Sequence, residues 1–194
     1  MNLLKKSGRD FQNYSRFIIP GALAAIVLTV AATGWLTQPD RFARGYAPAQ
    51  PIQFSHQLHP GTLRIPCTYC HTGILKSRQA GIPSVEKCLN CHKVTKTDSP
   101  DIKALAARYD SNQPLRWARI HALPDHVYFD HRPHVHSGIL CQTCHGEVQT
   151  MGIVYQNMSM RMSNCLGCHR DPKDALPENA GITEGPEHCN ACHR

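Results

Sequence analysis

Every cysteine in this chain stands in one repeated arrangement: Cys67-Thr-Tyr-Cys70-His71, Cys88-Leu-Asn-Cys91-His92, Cys141-Gln-Thr-Cys144-His145, Cys165-Leu-Gly-Cys168-His169 and Cys189-Asn-Ala-Cys192-His193. Five Cys-x-x-Cys-His units use all ten cysteines. Two thiols three positions apart, followed at once by an imidazole, suit one chemistry: covalent attachment of a c-type haem. The thiols take the two vinyl groups in thioether bonds, and the adjacent histidine sits beneath the iron. The ten cysteines are therefore read as attachment points for five haem c groups. His71, His92, His145, His169 and His193 are read as the proximal iron ligands. Zinc ribbons also use Cys-x-x-Cys pairs, but they have no need of a histidine after each second cysteine. Thioredoxin-like pairs belong to a βαβ unit, and five copies outside one have no such context. A disulfide framework would leave the histidines without a purpose.

Eight histidines lie outside the motifs: His56, His59, His121, His126, His131, His134, His136 and His188. A low-spin electron-carrying haem takes a second axial ligand, so five irons call for five of these, or for a methionine. Phe54-Ser-His56-Gln-Leu-His59 stands shortly before the first motif, and Phe129-Asp-His131-Arg-Pro-His134 shortly before the third, at nearly the same distance. This internal repeat assigns His56 and His131 to the haem attached just after each. His59 and His134, close to one helical turn further on, are assigned to other haems. His121 is the fifth candidate, and His126, His136 and His188 read as surface residues. Met158, Met160 and Met162 cluster before the fourth motif and compete for one distal position, with packing against haem as their other reading.

The elements that must hold these groups are sparse. The chain has 194 residues, 14 prolines, 13 glycines and only 7% aromatic residues, too little for a large side-chain core or long regular elements. Residues 99–110 carry the best helical pattern outside the N-terminal segment, with Ser99 as N-cap, Pro100 at the first position and Ile102, Leu105, Ala106 and Tyr109 on one face. Residues 17–39 bear no charge, which predicts a transmembrane helix. Lys5, Lys6, Arg9 and Arg16 precede it, while Asp40, Arg41 and Arg44 follow, so the N-terminus is expected in the cytoplasm and the rest outside. Trp35 falls at an interfacial position. Pro20 is expected in the first turn, where a helix tolerates it. Val30-Ala31-Ala32 offers a signal-peptidase site, but the apolar run is longer than a signal h-region, favouring a retained anchor. The expected order is a cytoplasmic N-terminus over 1–16, the span over 17–39, and an extended linker over 40–53. A dihaem module over 54–93, a connecting segment with a short helix over 94–127 and a trihaem module over 128–194 complete the chain.

The fold class that follows is a multihaem cytochrome c: one N-terminal transmembrane helix, then a mostly irregular domain with short helices packed around five covalent haems. The exported 155 or so residues have a compact radius of gyration of about 15 Å, so five macrocycles must lie close together. Six-coordinate haems exchange electrons but offer no open iron, so the expected function is electron conduction, not catalysis. The formal charge of +7 is offset by about ten haem propionates, ionised near neutral pH. Arg64, Lys76, Arg78, Arg116, Arg119 and Arg132 read as propionate partners or solvated surface, and nucleic acid is not an expected partner. The acidic stretch 171–187 reads as a solvated loop, or as a docking face for a basic partner.

The stretches PIQFSHQLH (51–59) before CTYCH, RWARIHALPDHVYFDHRPHV (116–135) before CQTCHG, and MRMSNCLGCHR (160–170) resemble the pentahaem membrane-anchored cytochrome c subunit of alternative complex III. The Phe-x-His-x-x-His unit is shared more widely with small c3- and c7-type multihaem cytochromes. The resemblance implies a subunit that conducts electrons from a menaquinol-oxidising complex of the bacterial inner membrane to a soluble acceptor on its outer face, the periplasm or exterior, such as a mono-haem cytochrome. Its implied partners are a polytopic quinol-oxidising subunit and an iron–sulfur subunit. It also implies His56, His59, His121, His131 and His134 as axial ligands, with Met162 at a matching position, and marks His126 and His136 as departures. The alternative is an anchored quinol dehydrogenase of the NapC/NirT type feeding a periplasmic reductase. Those usually carry four haems and lack this repeat. A multihaem nitrite or hydroxylamine reductase needs an open haem, often with lysine in place of the motif histidine, and all five motifs here end in histidine.

Overall fold

A computed structural model describes residues 3–37, 44–178 and 180–194, with side chains from residue 14 onward. The end of the expected span, the first residues of the expected linker (Arg41 among them) and the side chains of Lys5, Lys6 and Arg9 lie outside the described residues. The contacts divide the chain into two units, 1–39 and 40–194.

The first unit is a single helix, α1 (Leu3–Leu36). Its apolar part, Tyr14–Leu36, has 23 residues, about 34 Å of helix against a hydrocarbon core of about 30 Å. Its large apolar side chains are uncovered: Phe17 is 80% and Trp35 76% exposed. Thr29, Thr33 and Thr37 return their hydroxyls to the helix, donating to the carbonyls of Ala25, Thr29 and Thr33 at 2.7–2.8 Å. These three hydroxyls are therefore not left to face hydrocarbon unpaired. The helix begins well before residue 17, so Pro20 lies inside it and not in the first turn. The carbonyl of Arg16 therefore lacks the donor an ordinary residue at position 20 would supply.

The second unit is built from short helices. They are α2 (Cys67–Cys70), α3 (Val85–His92), α4 (Pro100–Asp110), α5 (His131–His136), α6 (Cys141–His145), α7 (Met162–Arg170) and α8 (Cys189–Cys192). A π-helical turn at Gln57–Thr62 and a 3-10 turn at Val148–Thr150 complete the set. Among the described residues there is no strand, only an isolated antiparallel bridge between Val127 and His193. α4 begins after Ser99 in extended conformation with Pro100 at the first position, as its sequence predicts, although the Ser99 hydroxyl makes no capping bond. It packs on α3, burying Leu89 and Leu105.

Beyond those two, the described buried hydrophobic residues are only Ile52, Ile74 and Met151. Such a core is far too small for a domain of this length. Backbone bonds between distant segments hold the irregular chain instead. Gly45 donates to Gln156 and Gln156 to Tyr46, at 2.8 and 2.9 Å. The Gln50 amide takes both backbone groups of Ala118 at 3.0 Å. The π-helical turn packs on the 3-10 turn, so closely that a Cβ on Gly61 would collide with the Gln149 carbonyl.

Candidate functional site

Each Cys-x-x-Cys pair lies within one helical turn, in α2, α3, α6, α7 and α8. That geometry puts both thiols on the same face, and the described cysteines are all free, exposed or half-buried. The pairs are neighbours in an order that differs from the sequence. Cys70 has Cys91 and Cys88 beside it. The thiols of Cys67 and Cys141 are in hydrogen-bond reach. Cys144 adjoins Cys165 and Cys168, and Cys165 adjoins Cys192. Second, first, third, fourth and fifth motifs thus form a single file. Burial, with the neighbouring thiols adding to it, raises the pKa of Cys88, Cys141, Cys144 and Cys165 above the usual thiol value.

The histidines come together in facing pairs. Ring centroids are 6.2 Å apart for His59 and His92, 6.4 Å for His131 and His145, and 6.1 Å for His134 and His169. A metal bonded to two imidazole nitrogens at about 2 Å each separates the ring centres by about 6 Å. His126 and His193 face each other at 5.4 Å with planes 18° apart. His56 is close enough to His71 to feel its charge; burial first, then His71 and His59, push its pKa down to about 4.

The two Phe-x-His-x-x-His units repeat in space. Phe54 meets His56 edge-on at 4.9 Å and 87°, and lies over His59 at 4.3 Å and 26°. Phe129 meets His131 at 4.8 Å and 87°, and His134 at 4.6 Å and 34°. The second histidine of each unit turns its Nδ1 to a carbonyl four residues back, His59 to Ser55 and His134 to Asp130. The backbone beneath differs, a π-helical turn in the first unit and an α-turn in the second. Asp130 caps that α-turn, accepting from Arg132 N–H at 2.9 Å. The Arg132 side chain holds the Asp130 carboxyl well below the usual range, to about 2.

Six of these histidines have Nδ1 on a backbone carbonyl. Beyond His59 and His134, they are His71 on Gly81 (2.7 Å), His92 on Thr95 (3.0 Å), His131 on Arg78 (2.8 Å) and His169 on Pro186 (2.6 Å). A carbonyl only accepts, so Nδ1 carries the proton and Nε2 keeps its lone pair for a metal. Burial holds His134 and His145 below the ordinary histidine pKa, His145 at about 4, so both are neutral donors of a lone pair near neutral pH.

The residues present fit haem. Among the described residues no three metal-binding side chains are placed to hold one metal ion by themselves. They come in twos, as axial ligation needs when a porphyrin supplies the other four donors. A cavity of about 290 Å³ beside His92, lined by Leu89, Ile102, Ala106 and Tyr109, offers apolar walls.

The candidates are placed unequally. His56, His59, His131 and His134 each approach a motif histidine. His121 lies against His145 at 4.4 Å, with its Nε2 3.4 Å from Nδ1 of His145. That is too close for a metal between the rings. Met162 opens α7 and is 62% exposed. His126 is exposed, as the sequence reads it, and its ring faces His193. Its place three residues before Phe129 of the second repeat unit was the signal the sequence held for that approach.

The end of the acidic stretch closes over the fourth motif. Gly185 N–H donates to the His169 carbonyl at 2.6 Å, and a Cβ there would stand 2.7 Å from His169 Cγ. Gly185→Ala should displace that ring, cost about 1–3 kcal/mol by overpacking, and alter one low-spin signal in the paramagnetic resonance spectrum of the holoprotein. An unchanged spectrum and melting temperature would show that the loop yields freely. Within the acidic stretch, Glu187 pairs with Arg170 and Asp171 with Lys173.

A strandless fold of short helices, one thiol pair per helical turn and imidazoles in facing pairs together define a multihaem cytochrome c. Residues 127–194 match the family described as cytochrome c7 and related cytochrome c, and residues 33–122 the class III cytochrome c family. It is 27% identical over 208 residues to the multihaem cytochrome c subunit of menaquinone reductase from Nitratidesulfovibrio vulgaris, covering 95% of this chain and 96% of that one.

Proposed function

We propose that this chain carries five haems c and serves as the membrane-anchored electron-transfer subunit of a complex of the alternative complex III type, between a menaquinol-oxidising membrane subunit and an acceptor outside. The pairing of imidazoles carries the reading. Distal ligands are His56, His59, His131, His134 and His126, opposite His71, His92, His145, His169 and His193 in that order. Haem held by these residues supplies one-electron exchange. The chain's own part is to fill both axial positions, fix each ring through Nδ1, and set the attachment sites in one file. The second and fifth motifs are the ends of that file. A saturated iron has no site for substrate, which supports a carrier and not a catalyst. α1 anchors the domain, with its basic N-terminal flank in the cytoplasm.

The complex's iron–sulfur and polytopic subunits are the proposed partners. A relative named for menaquinone reduction favours a second reading in which electrons travel the opposite way. Purified complex mixed anaerobically with a menaquinol analogue separates the two. Rapid reduction of all five haems, seen in the α-band, supports oxidation of quinol. Haems that stay oxidised with quinol, yet when pre-reduced are oxidised by the quinone, support the reverse. Neither response would sink the assignment to a quinone-linked complex.

A further inference from the structure

His145 is held differently from the six histidines whose Nδ1 rests on a carbonyl. Its Nδ1 faces an imidazole, Nε2 of His121, at 3.4 Å with the rings 79° apart. His145 also faces His131, with ring centroids 6.4 Å apart and the two planes within 8° of each other. Because His131 spends its Nδ1 on the Arg78 carbonyl, its Nε2 is the nitrogen available to a metal shared with His145. His145 must then keep its proton on Nδ1 and donate it to His121. An imidazole nitrogen is a stronger base than an amide carbonyl oxygen. A better acceptor on the far nitrogen makes a ligating histidine more electron-rich.

We propose that His121 is a positioning residue for His145: it fixes the tautomer that turns Nε2 toward His131, and it lowers the reduction potential of the haem attached at Cys141 and Cys144. This rests on the reading that the chain carries haem. It separates His121 from the axial ligands, a role its resemblance to the pentahaem subunits had implied.

The test uses the full-length holoprotein with His121→Leu, which removes the acceptor, and His121→Gln, which restores a weaker one. All five haems should stay low-spin in both. In a potentiometric titration one component of the leucine variant should move upward, by about tenfold in its oxidised-to-reduced ratio at fixed potential, or about 59 mV. The glutamine variant should fall between leucine and wild type. A high-spin haem in both variants would make His121 a ligand and overturn the proposal, as would titrations superimposed on wild type. Should leucine abolish folding, the glutamine titration alone decides, because it too must shift upward. Wild-type protein without covalent haem at Cys141 and Cys144 would defeat the underlying reading instead, and mass spectrometry of the heme-bearing peptides reveals that separately.

Discussion

His126→Leu should convert one haem in five from low to high spin. His126 is the partner that the proposed ligation gives His193, facing it at 5.4 Å. Leucine has about the same bulk but no lone pair, so the fifth iron is left five-coordinate or takes water. The effect is all-or-none at that site, and it is stoichiometric. Magnetic spectra of the oxidised protein should gain one ferric high-spin signal per chain, and a small ligand such as cyanide should bind one haem. Wild-type spectra with five low-spin haems form the reference. If His126→Leu stays fully low-spin while Met162→Leu gains the signal, methionine is the fifth distal ligand. Both side chains are exposed, but only His126 is shown facing a motif histidine, which speaks for the histidine.

The second large effect is expected from Cys141→Ser combined with Cys144→Ser. The haem count by mass should fall from five to four, but the position of the loss matters more. The third motif lies between the first, through Cys67, and the fourth, through Cys165 and Cys168. Its removal leaves the second and first sites on one side of a gap and the fourth and fifth on the other. Reduction by a donor acting at one end should split into a fast and a slow phase, each of two haems. The matching double substitution at Cys88 and Cys91, at an end of the file, should leave four haems reduced in one phase. Single-phase reduction in both variants would show that the sites are not in file.

The attachment chemistry was legible in the sequence because it is local. Two thiols and an imidazole within five residues need only one turn of helix, and every motif has one. Helix α4 was legible for the same reason, through Ser99, Pro100 and an apolar face. His126 was not, because its partner lies 67 residues away and the two meet where Val127 bridges to His193 and Tyr128 N–H donates to the Cys192 carbonyl. His121 was read as the fifth axial candidate, and spacing could not tell that it meets Nδ1 of His145. The start of α1 was missed because charge marks where a helix leaves lipid, not where it ends; the basic residues before the apolar run are helical too. The repeat was read from matching letters, and the structure matches its rings while giving its backbones different helical pitch.

Each distal histidine in the proposed pairing lies upstream of the cysteines that carry its haem: His56 before Cys67, His59 before Cys88, His131 before Cys141, His134 before Cys165 and His126 before Cys189. In the proposed orientation the chain beyond α1 emerges in order toward its C-terminus, which delivers every sixth ligand ahead of its attachment site. With that ligation and orientation, haem joined to a newly emerged motif would find its capping imidazole already outside, and no iron would wait open to oxygen for residues still inside the cell. Maturation can run in the direction of export, one closed centre at a time.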